Sequence, residues 1–177
     1  MNKMIFVIII GVLAGIDLII KYGIEKLPDI NFPRPFKYAK EKITIHKFHN
    51  SGFPFGFMKK YPQIIRSIPL IITSGILGVF SYLLPKKGNI VLKTGLAIIL
   101  GGSISNLYDR FIRKYVVDYF SINIKPIKKV IFNLGDIFIF LGSIILTIRT
   151  LCIDAGDIIR NIKNSLSVFM AGTGRNS

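Results

Sequence analysis

Asp118 and Asp136 are the two residues of this chain whose type and surroundings best suit them to break a bond. Asp118 sits between Val116-Val117 and Tyr119-Phe120, an acid set among apolar residues that should dip toward a membrane surface. Asp136 stands one turn into a long apolar run, with Asn133 three residues earlier on the same helical face. If these carboxylates meet, they cannot both ionise comfortably, so one pKa rises and the other falls. That asymmetry makes an acid and a base. The ionised group activates a water, and the protonated one polarises a scissile carbonyl. A Ser-His-Asp set would have to enlist a loop histidine, and the single cysteine, Cys152, lies at the wrong end of its apolar run.

Further polar groups cluster near the ends of apolar runs. Asp17 and Lys21, four apart on one helical face, can pair, either as a structural ion pair or as part of a site. Asn106 and Arg110 repeat that spacing, and the Arg110 fork suits a carboxylate or a peptide carbonyl. Asp109 is read as the local partner of Arg110. Asn50 and Gly52 lie in HNSGFPFG, where the amide either braces a site or makes a plain turn. His46 and His49 fall in a stretch that alternates like a strand, facing them oppositely, and no further His or Cys completes a zinc set, so no metal is expected.

The elements that must position these groups are membrane helices. The chain has 177 residues, 51% of them hydrophobic, and a mean hydropathy of +0.54, which excludes an ordinary soluble domain. Apolar runs at about 4–20, 64–84, 90–108 and 131–148 each approach the roughly 20 residues that cross a bilayer core. The first is read as a span rather than a cleaved leader, because it lacks a convincing small-x-small site and three spans follow. A tight basic turn, Pro85 to Asn89, makes the second and third spans antiparallel neighbours. Both long connections, about 22–62 and 110–130, then share one face, and both termini the other. An intramembrane charge costs roughly 2.5 to 3.5 kcal/mol, so polar ends converging on one face imply a site. Gly101 and Gly102 are read as helix packing.

The net charge of +15 comes without a recognition helix or aromatic platform, which argues against nucleic acid and for anionic lipid head groups. The two long connections and their flanks hold 16 of the 24 Lys and Arg, so the positive-inside rule leaves orientation undecided. Residues 151–177 have the spacing of an amphipathic helix, with Ile153, Ile159, Ile162, Leu166 and Phe169 on its apolar side.

Taken together, the motifs resemble lipoprotein signal peptidase, the bacterial signal peptidase II. An Asp followed four residues later by Lys matches Asp17 and Lys21. The loop pattern Asn-x-Gly-x-x-Phe-Gly matches Asn50, Gly52, Phe55 and Gly56, and GGSISNLYDR, VVDYF and FNLGD supply the remaining blocks. The resemblance covers about residues 4 to 148. It implies an all-α membrane fold of four transmembrane helices with a small extracytoplasmic β-rich cradle and loop, a peptidase unit at 1–150 and a cytoplasmic tail at 151–177. The catalytic aspartates would be Asp118 and Asp136, supported by Asp17, Lys21, Asn50, Gly52, Asn106, Asp109, Arg110 and Asn133. The implied reaction removes signal peptides from diacylglyceryl-modified prolipoproteins before the lipidated cysteine, without a cofactor, at the outer face of the bacterial inner membrane, by a monomer sensitive to globomycin. A non-catalytic paralogue that binds lipidated peptides is the alternative. Pro54, Ser103, Ser105 and Gly135 depart from the family pattern. Serine at 105 should add volume between helices, and glycine at 135 should loosen the fourth span by roughly 0.5 to 1 kcal/mol.

Overall fold

The computed structural model describes residues 3–39, 42–52, 62–125 and 130–173. Pro54, Phe55 and Gly56 of the loop motif therefore lie outside the described residues, as do the side chains of Ile159, Ile162, Leu166 and Phe169.

Among the described residues, four helices are long and apolar enough to cross a membrane: α1 (Lys3–Lys26), α2 (Pro62–Leu83), α3 (Ile90–Tyr108) and α4 (Leu134–Thr173). Leucines, isoleucines and valines cover their outer faces, where lipid rather than water is the solvent. The central helix is α3, which packs against α1, α2 and α4. It is 61% buried along its apolar window, against 17%, 17% and 6% for the other three, so it alone is walled by protein. Phe6, Phe80, Leu96, Ala97 and Leu100 form the core between α1, α2 and α3.

Close approach of α3 and α4 depends on glycine. A Cβ on Gly102 would overlap the Gly135 carbonyl oxygen, and one on Gly142 would lie 2.7 Å from the Gly95 oxygen. The two pairs are seven residues apart on each helix, so the same face returns and the backbones touch twice.

Two boundaries differ from the sequence expectation. Helix α1 runs past Lys21 to Lys26, because Ile24 continues its inward face and is buried beneath Val117 and Tyr119. Lys21 is consequently inside the helix, not at its exit. Ile131–Phe132 is a strand rather than the start of the fourth span, because it pairs with Phe120 and Ser121. Helix α4 then continues unbroken to Thr173, about twice the length a bilayer core requires.

Above the bundle lies an antiparallel sheet, ordered β1 (Arg34–Pro35), β2 (Ile43–Asn50), β3 (Val116–Ile122) and β4 (Ile131–Phe132). Between Ile45 and Phe48 the pairing of β2 with β3 slips by one residue, a bulge. Beyond it Phe48 faces Asp118 and Asn50 faces Val116, so Asn50 is the diagonal neighbour of Asp118. Strand β3 is buried from Val116 to Tyr119, because helices lie under it and β2 and β4 flank it.

Candidate active site

Asp118 comes from β3 and Asp136 from the first turn of α4, and one residue, Asn133, bonds to both. Its side-chain Nδ2 donates to Asp118 Oδ1 at 2.7 Å, and its backbone N–H donates to Asp136 Oδ2 at 3.2 Å. In return the Asp136 N–H donates to Asn133 Oδ1 at 2.9 Å. This reciprocal pair is a capping box: Asn133 stands just outside the helix as its N-cap, rather than on a helical face with Asp136 as the spacing suggested. Helix initiation and carboxylate placement are one set of bonds.

The second oxygen of each acid is held by another amide. Asn50 Nδ2 donates to Asp118 Oδ2 at 3.0 Å, while Asn50 Oδ1 accepts the Gly52 N–H at 3.1 Å. Asn50 is therefore both a turn residue and a brace, the two readings its sequence left open. Asn106 Nδ2 donates to Asp136 Oδ1 at 2.9 Å. Each carboxylate thus takes two amide donors and, among the described residues, no direct ion pair.

The cation lies one shell further down. Lys21 is fully buried, and its Nζ meets Asp17 Oδ2 at 2.8 Å, Asp109 Oδ2 at 3.0 Å, Asn106 Oδ1 at 2.8 Å and Ser105 Oγ at 3.2 Å. Asp17 is as crowded. Its Oδ2 also accepts the Ser105 hydroxyl at 2.5 Å, and its Oδ1 accepts the Tyr119 hydroxyl at 2.9 Å and the Leu134 N–H at 3.1 Å. One buried acid thereby ties α1 to α3, β3 and α4. Successive strand residues face opposite ways, so Asp118 reaches the dyad while Tyr119 reaches this support.

Asp109 departs from its expected role. Its partners are Lys21, the Arg113 guanidinium at 2.7 Å and the Val117 N–H at 3.1 Å, not Arg110. The reason is local geometry. Asp109–Arg113 forms a π-helical turn, the widened register common at functional sites. Arg110 instead donates from Nη1 to the Asn106 carbonyl at 3.1 Å, within electrostatic reach of Asp136 and Asp118. Its Nε is the one buried side-chain nitrogen or oxygen among the described residues that has no hydrogen-bond partner.

Burial pushes the Asp118 carboxyl up to about 7, with the charge of Asp136 adding to it and the Asn50 and Asn133 donors opposing it. Burial, and then the charge of Asp17, also holds the Tyr119 phenol above its usual value, so it remains a donor.

All ten sequence candidates, Asp17, Lys21, Asn50, Gly52, Asn106, Asp109, Arg110, Asp118, Asn133 and Asp136, come together at this end of the bundle. His46 and His49 do not. His46 meets Ser121 at 2.8 Å, and His49 meets Glu25 at 2.7 Å; the bulge between Ile45 and Phe48 returns both to one face of the sheet, rather than the opposite faces that strict alternation implies. Sequence reasoning missed Tyr119, read as an apolar flank, and the hydroxyl of Ser105, read as added bulk. A tyrosine beside an acid in a buried strand needs a partner for its hydroxyl, which was the available signal. Gly135 was misread as well. A Cβ there would lie 3.0 Å from Asn133 Oδ1, Asp17 Oδ2 and the Gly102 oxygen, so glycine makes room rather than merely loosening the turn.

Residues 9–152 match the family model for signal peptidase (SPase) II. A lipoprotein signal peptidase of Moorella thermoacetica is 32% identical over 141 residues, covering 80% of this chain and 89% of that protein. One from Clostridioides difficile is 29% identical over 149 residues, covering 84% and 95%. A solved bacterial membrane enzyme superposes with a TM-score of 0.69 at 23% identity, covering 82% of this chain and 87% of the other, which supports the fold.

Proposed function

The chain belongs to the signal peptidase II family, and on that premise we infer that it is a membrane protease that removes signal peptides from prolipoproteins, acting through Asp118 and Asp136. The observation that carries the catalytic assignment is that Asn133 bonds to both carboxylates. One residue bonding to both acids, together with the charge of Asp136 acting on the Asp118 carboxyl, supports their sharing the work on a single water.

The proposed chemistry follows from their surroundings. Asp118, with its carboxyl pushed up to about 7, keeps a proton near neutrality and gives it to the scissile carbonyl oxygen. Asp136, at the positive end of α4, takes a proton from the water whose oxygen attacks the carbonyl carbon. The tetrahedral intermediate then collapses. The C–N bond breaks, the nitrogen receives the proton from Asp136, a hydroxyl proton returns to Asp118, and a new carboxyl end and a free amine leave. No cofactor enters this scheme. The free Nε of Arg110 is the donor suited to a peptide carbonyl of the bound substrate.

The site sits where the apolar helices meet the cradle, which is where a lipid-modified residue anchored in a bilayer would present its backbone. This supports a diacylglyceryl-modified substrate cut before its lipidated cysteine. The family resemblance supports an extracytoplasmic site in a bacterial inner membrane, a monomer of one peptidase unit at 1–150 with a cytoplasmic tail at 151–177, and inhibition by globomycin. The test is direct. Purified protein is incubated with a diacylglyceryl prolipoprotein, beside Asp118→Asn and Asp136→Asn. Cleavage by the unaltered protein alone supports the dyad, cleavage surviving in either variant removes it, and no cleavage anywhere favours a lipopeptide-binding paralogue.

A further inference from the structure

At the bundle end opposite the dyad, the start of α1, the end of α2 and the start of α3 enclose a cavity of about 290 Å³. Lys3, Lys86, Lys87 and Lys93 line it beside Phe6 and Leu84, and among the described residues that line it none is a carboxylate. Lys93 is only 5% exposed, and its Nζ donates to the Lys86 carbonyl. The Lys86 ammonium lies over the Tyr82 ring, 3.5 Å from its centroid. A carbonyl dipole and a ring face attract cations, but neither neutralises them.

The backbone adds to the imbalance. Gly88 and Asn89 both adopt left-handed φ, +74° and +53°. Asn89 is the N-cap of α3 but makes no side-chain cap bond; its Oδ1 accepts from Arg149 Nη2 at 3.1 Å instead. The first amide groups of α3, beside the cavity, thus lack the usual side-chain acceptor. Four lysines and a helix start around one small space form a place where an anion lowers the energy of every neighbour.

We propose that this cavity binds the phosphate of an anionic phospholipid headgroup. Its position selects that ligand: it opens where three apolar spans end, at headgroup depth, and Phe6 and Leu84 offer an apolar wall to the glycerol and upper acyl carbons. Basic pockets between membrane helices commonly take such groups.

The experiment is native mass spectrometry of the detergent-solubilised full chain titrated with phosphatidylglycerol or phosphatidylcholine, with inorganic phosphate as a competitor. The unaltered protein should prefer phosphatidylglycerol. The double variant Lys86→Gln, Lys87→Gln should lose that preference by about fivefold per lysine removed, the worth of a lysine at an anionic surface. Lys93→Met should lose more, but its burial makes misfolding a risk, so the exposed double variant carries the test, with circular dichroism to verify its helices. Equal affinity for both lipids, or an undiminished preference in the double variant, overturns the proposal. Full displacement of phosphatidylglycerol by millimolar phosphate reassigns the site to free phosphate and overturns the lipid part. The readout is binding, so it stands or falls separately from peptidase activity.

Discussion

The ammonium of Lys21 donates to Oδ1 of Asn106 at 2.8 Å, and this bond decides which end of that amide faces Asp136. With Oδ1 occupied, only Nδ2 can turn to the catalytic acid, which it reaches at 2.9 Å.

Lys21→Met should therefore do two kinds of damage. It leaves Asp17 a buried acid without its cation, which costs about 3 to 5 kcal/mol, while Asp109 keeps Arg113, and it frees Asn106 to flip. Thermal unfolding of the purified variant should show the first effect. Loss of kcat in any surviving folded fraction should show the second.

The carboxyl of Asp118 supplies a pH prediction. Its folded pKa is about 7, and its unfolded value is about 3.9. Between those values the native state holds the extra proton, so this group's contribution to stability falls as pH rises from 4 to 7, by up to about 1.4 kcal/mol per unit. Unfolding curves across that range should be steeper for the unaltered protein than for Asp118→Asn. Activity should decline above pH 7 as the proposed acid loses its proton. In Asp136→Asn, carbon-13 NMR of Asp118 should report a lower pKa, still above the ordinary range, because burial is the larger cause and remains.

Tyr119→Phe should keep the fold and weaken the site. The substitution deletes one hydrogen bond to Asp17 and an acceptor for the Leu134 N–H. The expected loss is roughly 1 to 2 kcal/mol of stability, since Leu134 N–H retains Asp17 itself. A fall in kcat with KM little changed would separate a positioning role from a substrate contact.

Ser105 and Gly135 meet at the same atom, Asp17 Oδ2, one by donating to it and the other by lacking the Cβ that would crowd it. Ser105→Gly and Gly135→Ala should each destabilise alone. Together they should be non-additive by about 0.5 to 3 kcal/mol, measured as a double-mutant cycle of unfolding free energies. Gly102→Ala should be worse than either, because its methyl would overlap the Gly135 backbone outright, where one at Gly135 only crowds its neighbours at 3.0 Å.

The four spans were legible because lipid demands long apolar runs, and the acids and amides because ionisable groups in such runs are seldom idle. What the sequence concealed is mostly non-local. Ile131 and Phe132 read as helix because their pairing with Phe120 and Ser121 is decided by a strand ten residues away. Asp109 read as a partner of Arg110 because regular helical spacing hides a π-turn, which delivers the acid to Lys21 and Arg113 instead. Tyr119 looked like an apolar flank until α1 lay beneath it with Asp17 in reach.

The capping box at the head of α4 has a last implication. The amide proton of Asp136 is one of the bonds that define the reactive geometry, so its exchange with deuterium would track the fraction of molecules poised to react. A substrate or inhibitor that tightens the centre should slow that one exchange rate, and a variant that slackens it should speed it, before any change is visible in the bulk melting of the helices.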